Sequence, residues 1–545
     1  MNRKQRRAAN KGAPAGKAVS PNLERAFADA VRHFQGGRAA QAAEALAPVA
    51  RAMPDSPDVL TLGGFIALES GQPERAVASF RRVLERAPND PGTLNNLGNA
   101  LKQAGKLEDA AEAYRESLRI RPGHADTAFN LGVSLEALAD WTGAEAAYRE
   151  SLAAAPADPA AALNLGRVLL EQRRIDEALP VCERAAALDP ESADAHGNLA
   201  RAAAALGLID RAEAAATRAV AIDPDHASGR QALGMIHFLR GRWAEAWREY
   251  ETRWRTEIRT TTRPFRQPVW SGEPLSGKTI LIWGEQGVGD EILFGGMVPD
   301  MIAAAGQVVL ECDGRLLALY RRSFPDAACV ARNDPPDPKT LADGVAFQVP
   351  IGSLGQWLRP TEGAFPRRPA FLTADRALRD RLSERYREGT ADRLIGVSWA
   401  SVGPDKSMPI EALAPLFAIP GLRFVDLQYG DWRDARAAFE RATGKRLIHD
   451  DTIDPLGDLD PFAAQVATMD LVVSISSTAV HMAGALGVPA WVMLPTMPMW
   501  RWGWDRDDSP WYPSVRLFRQ RQSGDWTDVV ARIKPKLIEF AAGRE

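Results

Sequence analysis

Small and apolar residues in the first half of the chain return at a fixed interval. Pro54, Pro88, Pro122, Pro156, Pro190 and Pro224 are each 34 residues apart. A small-residue column runs in step through Ala76, Ala110, Ala144, Ala178, Ala212 and Ala246. Four residues on stand Phe80, Tyr114, Tyr148, Cys182, Ala216 and Tyr250. A third column reads Asn96-Leu97-Gly98, Asn130-Leu131-Gly132, Asn164-Leu165-Gly166 and Asn198-Leu199-Ala200. The pattern predicts about six helix–turn–helix units. A small residue belongs where the two helices cross, a larger one fills the gap to the next unit, and proline stops the second helix for want of an N–H. After Tyr250 the spacing ends. Trp243, Trp247, Tyr250 and Trp254 share one helix face and predict a capping surface against the next domain.

From about residue 270 the period changes. Short aliphatic runs predict strands at Thr279–Trp283, Gln307–Glu311, Val345–Val349, Leu394–Trp399, Arg423–Leu427, Leu471–Ile475, Ala490–Leu494 and Val515–Phe518. Helical segments between them, such as 292–305, 410–417 and 479–486, imply parallel sheets with helices on their faces. The expected organisation is a basic tail (1–20), a helical solenoid (21–255), a Thr-rich linker (256–269) and two Rossmann-like lobes (270–372 and 373–545) across a cleft. In such sheets ligands bind at the carboxyl ends of strands, so those loops hold the candidate chemistry.

In the loop Gly284–Glu291, Gly287 and Gly289 allow a tight turn with amides aimed at a ligand. In Ser474–His481, the hydroxyls of Ser476, Ser477 and Thr478 precede a helix, where they either cap it or receive a phosphate. Lys406 lies in the loop after the strand 394–399, placed to meet a diphosphate. From Trp500 to Arg506, Trp and Arg fill most positions; Arg501 and its neighbours suit a nucleotide or sugar, or plug the base of the cleft. Asp290 is a carboxylate base or a helix N-cap. Glu285 and Glu291 are rival bases, and His481 is a ligand contact or a packed core histidine. Asp458-Leu459-Asp460 and Asp505-Arg506-Asp507 have the spacing of metal-binding runs, but such runs arise easily among 70 acidic residues, and no metal is assigned.

Composition narrows the class. With 46% apolar and 25% charged residues and a net charge of −3, the chain is globular and shows no bias toward nucleic acid. Cys182, Cys312 and Cys329 are far apart, which indicates neither a zinc site nor a disulfide framework. No apolar run is long enough for a transmembrane segment or follows the basic start as a signal peptide would, so a cytoplasmic protein is expected.

The 34-residue columns resemble tetratricopeptide repeats. Together with TILIWGEQGVGDEILF, GVSWASVGPDKS, FVDLQYG and DLVVSISSTAVHMAGALGVPAWVMLP, they resemble bacterial tetratricopeptide proteins with a heptosyltransferase-like domain of the GT-B class, family nine of the glycosyltransferases. The resemblance implies metal-independent sugar transfer from a nucleotide sugar with inversion, and no resident cofactor. It makes Asp290, in the pair Gly289-Asp290, the general base, and Lys406 a contact of the donor phosphates. Ser476, Ser477, Thr478 and His481 match the motif that cradles the diphosphate. Ser476 stands where the heptosyltransferases carry Asp, and Thr478 where they carry Gly, which suggests a different donor. By analogy of architecture the repeats hold a protein acceptor modified on Ser or Thr, as in flagellin glycosylation. The alternatives are a lipopolysaccharide or surface-glycan transferase, and a repeat adaptor with a decayed transferase domain.

Overall fold

The computed structural model describes residues 20–255, 263–401, 403 and 406–544. The expected tail up to residue 19 and the first half of the expected linker, residues 256–262, lie outside these. The described chain opens with fourteen helices, from Pro21–Gln35 to Trp243–Tyr250, in seven consecutive pairs. One pair precedes those marked by the full set of columns. The chain divides into two compact units, residues 1–202 and 203–545.

In the first unit the columns have a direct physical cause. A Cβ added to Gly98 would lie 2.5 Å from the Tyr114 ring, one on Gly132 2.6 Å from Tyr148, and one on Gly64 2.7 Å from Phe80. The bulky residue therefore sits on the glycine of its own pair, rather than bridging to the next unit as the sequence suggested. Tyr114 and Tyr148 are fully buried, with hydroxyls donating to Asn99 (2.8 Å) and Glu136 (3.0 Å). Because each pair leaves one face apolar, stacking joins Phe27 through Ala202 into one continuous core.

The second unit begins with the last repeat helices, including α1 (Ala227–Leu239) and α2 (Trp243–Tyr250), and continues into two sheets. The first sheet contains β1 (Thr279–Trp283), β2 (Gln307–Cys312), β3 (Ala327–Ala331) and β4 (Val345–Pro350), in the order β3-β2-β1-β4. The second contains β5 (Arg393–Ser398), β6 (Leu422–Asp426), β7 (Leu447–Ile448), β8 (Leu471–Ile475), β9 (Ala490–Leu494) and β10 (Val515–Arg519), in the order β10-β9-β8-β5-β6-β7. Every pairing within these sheets is parallel. Central strands such as β8 and β9 are buried along their whole length, as strands covered on both faces must be. The strand order reverses beside β1 in the first sheet and between β5 and β8 in the second, which are the positions where such sheets open a crevice.

Two sequence expectations change. The helix expected over 292–305 starts earlier, as α3 (Val288–Gly295), and a second helix, Val298–Ala304, follows it. Residues 263–269 are not a free linker. Gln348 N donates to Pro268 O (3.0 Å), Trp270 N donates to Gln348 O (2.9 Å), and Phe265 packs on Trp283. The capping stripe behaves as expected. Trp243 and Trp247 are buried, Phe238 stacks on Trp500 with centroids 4.3 Å apart, and Trp247 Nε1 donates to Arg359 O (2.8 Å).

Candidate functional site

The loops after β1 and β8 meet. The first leads into α3 and the second into α4 (Thr478–Leu486), and the two helices pack on one another. Their first turns face each other, for a Cβ added to Gly289 would lie 3.4 Å from the His481 ring and 3.7 Å from Thr478 Oγ1. A side chain at Gly289 would make ordinary contacts there, so the glycine marks the meeting of the two turns without being demanded by it. The tight turn expected at Gly287 is made elsewhere. Gly287 is extended, with φ −91° and ψ 162°, while Gln286 takes the left-handed φ of 64°. Two helix N-termini in contact concentrate backbone N–H groups and positive dipole ends in one place, the ordinary setting for an anion.

Asp290 is the third residue of α3 and does not cap it; Gly287 holds the N-cap position. Its carboxylate forms an ion pair with Arg501, 211 residues away. Arg501 is only 7% exposed and its ion-pair partner makes it part of the same cluster. The Trp-rich segment around it splits between the two readings of the sequence. Trp500 and Trp502 serve packing: Trp502 is fully buried, stacks on His481 (5.4 Å, 15°), and donates its Nε1 to Ser476 Oγ at 2.8 Å. Arg501, between them, faces Asp290.

His481 is 2% exposed and shares a hydrogen bond with the Tyr512 hydroxyl at 3.1 Å. Burial first, then the charges of Arg501 and Lys406, hold its pKa well below the usual histidine range, so it stays neutral. Ser477 is the N-cap of α4 but makes no side-chain cap bond; its hydroxyl lies 3.2 Å from Ser474 Oγ. Asp290, Gly289, Arg501, Ser476, Ser477, Thr478 and His481 thus share one neighbourhood, and Lys406, in the loop after β5, is among the charges that lower the His481 pKa. Gly287 is set back at the start of α3.

The rival carboxylates are engaged otherwise. Glu285 is 2% exposed and accepts from Arg253 Nε (3.0 Å) and Nη2 (2.8 Å) and from Gly352 N (3.0 Å). Glu291 is 1% exposed, accepts from Asp313 N (2.9 Å) and pairs with Arg332 (2.8 Å). Burial pushes its pKa up to about 7 against the pull of Arg332. Of the Asp-x-Asp runs, Asp458 caps its own helix and Asp460 pairs with Arg322 at 2.6 Å.

Two supports were not anticipated from sequence. Arg253 lies over the Tyr250 ring (4.0 Å) and also donates to Ser353 Oγ (2.8 Å), while Gln286 Nε2 donates to Tyr250 Oη (2.6 Å). The end of the repeats therefore grips the loop that carries Asp290. Gln428 does the same for the loop after β5. Its Oε1 accepts from Trp399 N (3.0 Å) and Ala400 N (2.8 Å), and its Nε2 donates to Ala400 O (3.0 Å).

No helix among the described residues is long and apolar enough to cross a membrane. The three cysteines are buried and unpaired. Residues 27–91, 64–125, 95–159 and 129–193 match one tetratricopeptide repeat model, and residues 169–236 match another. Protein FlbA of Caulobacter vibrioides is 32% identical over 342 residues, 57% of this chain and 56% of that protein. The chain thus spans about half the length of this curated relative. Solved structures similar to part of the chain include MamA (22% identity, TM-score 0.29, covering 30% of this chain and 94% of that one). They also include YrrB, described as a TPR protein with an unusual peptide-binding site (21%, 0.30, 32% and 91%), and the type IV pilus biogenesis factor PilW (20%, 0.34, 38% and 96%). Residues 27–236 are tetratricopeptide repeats.

Proposed function

We propose that residues 270–545 are a GT-B glycosyltransferase domain that moves a sugar from a nucleotide-sugar donor to a Ser or Thr hydroxyl of a protein engaged by the repeats. One observation carries the reading. At the switch points of two parallel sheets, a carboxylate (Asp290), a buried cation (Arg501) and the start of α4 share one neighbourhood, with Lys406 on the loop after β5. Acid-base capacity beside an anion-binding surface is what glycosyl transfer from a diphosphate requires.

In this reading the diphosphate lies on the amides of Ser477 and Thr478, with Lys406 and Arg501 against its oxygens. Arg501 exchanges Asp290 for the diphosphate, and the carboxylate becomes available to the acceptor. The hydroxyl oxygen attacks the anomeric carbon from the face opposite the leaving group. Asp290 takes the proton, the bond from that carbon to the diphosphate oxygen breaks, and the configuration inverts. The cations and amides stabilise the charge that gathers on the departing diphosphate. Ser476, held by Trp502, orients the loop, and neutral His481 packs behind it.

The test is release of free nucleotide when the full chain is incubated with a panel of nucleotide sugars without acceptor. Slow hydrolysis of at least one donor is expected. No release and no binding with any donor removes the transferase reading and leaves the repeat adaptor.

A further inference from the structure

The last repeat turns and the segment after β9 enclose a cavity of about 900 Å³. Gly207 and Gly241, equivalent turn positions 34 residues apart, contribute one wall, and Arg501 with Gly503–Arg506 contribute the other. The two walls are joined: Trp504 N donates to Leu239 O (2.9 Å), and the Trp504 ring lies so close to the turn that a Cβ on Gly207 would meet it at 2.9 Å.

We propose, resting on the transferase reading above, that this cavity receives an extended segment of the acceptor polypeptide and leads its hydroxyl to Asp290. Its size falls within the range of about 300–1,000 Å³ for ligand sites. Its charge argues against an anionic occupant. Arg240, Arg242, Arg501 and Arg506 are balanced by Asp210, Glu213, Glu362 and Asp505. Most of these are already paired: Arg240 with Asp210 and Glu213, Arg242 with Glu213 (2.5 Å), and Arg506 with Glu362 (3.0 Å). A nucleotide or a phosphate-linked glycolipid calls for a surplus of positive charge that this wall lacks.

A polypeptide fits better. Trp504, partly exposed, supplies aromatic surface between paired charges, a combination found at protein contact surfaces, with Phe238 and Trp243 buried behind it. Arg501 belongs to both places, lining the cavity and pairing with Asp290.

The probe is a library of twelve-residue peptides, each with one Ser or Thr and a diazirine side chain beside it, irradiated with the full-length protein and a hydrolysable donor. Cross-links are expected on residues 207–213, 238–243 and 503–506. Trp504→Ala should reduce them about tenfold or more and raise the peptide KM similarly, as loss of an aromatic anchor does. Donor hydrolysis without peptide should stay at the wild-type rate. Asp210→Arg, at an exposed rim position, should weaken labelling without altering the fold. Labelling elsewhere, labelling unaffected by both variants, no labelling, or labelling of these residues by a glycolipid acceptor in place of peptide each overturns the proposal. Absence of donor hydrolysis in the wild type instead points to failure of the transferase reading.

Discussion

Asp290→Asn is expected to lower kcat/KM for sugar transfer by about 10²–10⁴-fold, the ordinary contribution of a general base, while donor affinity is retained. Asparagine keeps the size of the side chain and an oxygen that accepts from Arg501, and Asp290 is not the cap of α3; loss of its charge leaves the buried Arg501 guanidinium without its ion-pair partner, so a lower melting temperature is expected beside the kinetic effect. Loss of a first-turn carboxylate costs the helix only about 0.3–1 kcal/mol. The asparagine cannot take a proton from the attacking hydroxyl. Steady-state kinetics beside a thermal melt separates the two effects. Transfer within a few-fold of wild type in a folded variant would remove Asp290 from the mechanism. Neither neighbour is an easy substitute, because Glu285 is held by Arg253 and Glu291 by Arg332.

Arg253→Ala is expected to destabilise the second unit by about 3–5 kcal/mol, the cost of leaving one member of a buried ion pair alone. Arg253 and Glu285 side chains are 11% and 1% exposed. Without the guanidinium, Glu285 retains Gly352 N as its remaining partner among these bonds. The loop it anchors includes Gln286 in a left-handed conformation that a side chain rarely adopts. Arg253→Lys keeps a charge but loses the two-pronged geometry, and should fall between wild type and alanine. Adding Glu285→Gln to Arg253→Ala should recover part of the loss, since the orphaned charge is then gone. Chemical denaturation of the three variants checks this. A loss below about 1 kcal/mol for Arg253→Ala would show that the pair behaves as a surface bridge.

The repeats were legible because one physical constraint, a glycine under an aromatic ring, recurs at a fixed interval. Gly98 under Tyr114 and Gly132 under Tyr148 cannot vary independently. The central strands were legible because burial on both faces demands aliphatic runs such as Leu471–Ile475. The missed strands are at sheet edges. Ala327–Ala331 is small and weakly β-forming, and Leu447–Ile448 has only two residues. In the site, the loops could be found from their places after strands, but not their partners. Nothing local in the sequence joins Asp290 to Arg501. Arg253 sits at the end of the repeats, and its role depends on Glu285 and Ser353 folding onto it. The expectation of a glycine turn failed because Gln286 is held from outside by Tyr250, a contact that spacing cannot reveal.

In the proposed mechanism the starts of α3 and α4 form one donor site. Calorimetric titration of the full chain with a panel of nucleotide sugars tests it most directly. At least one donor should bind, and Lys406→Ala and Arg501→Ala should each weaken that binding about tenfold or more, or about 1.4 kcal/mol. Failure of every donor to bind, or binding that neither substitution alters, would contradict it.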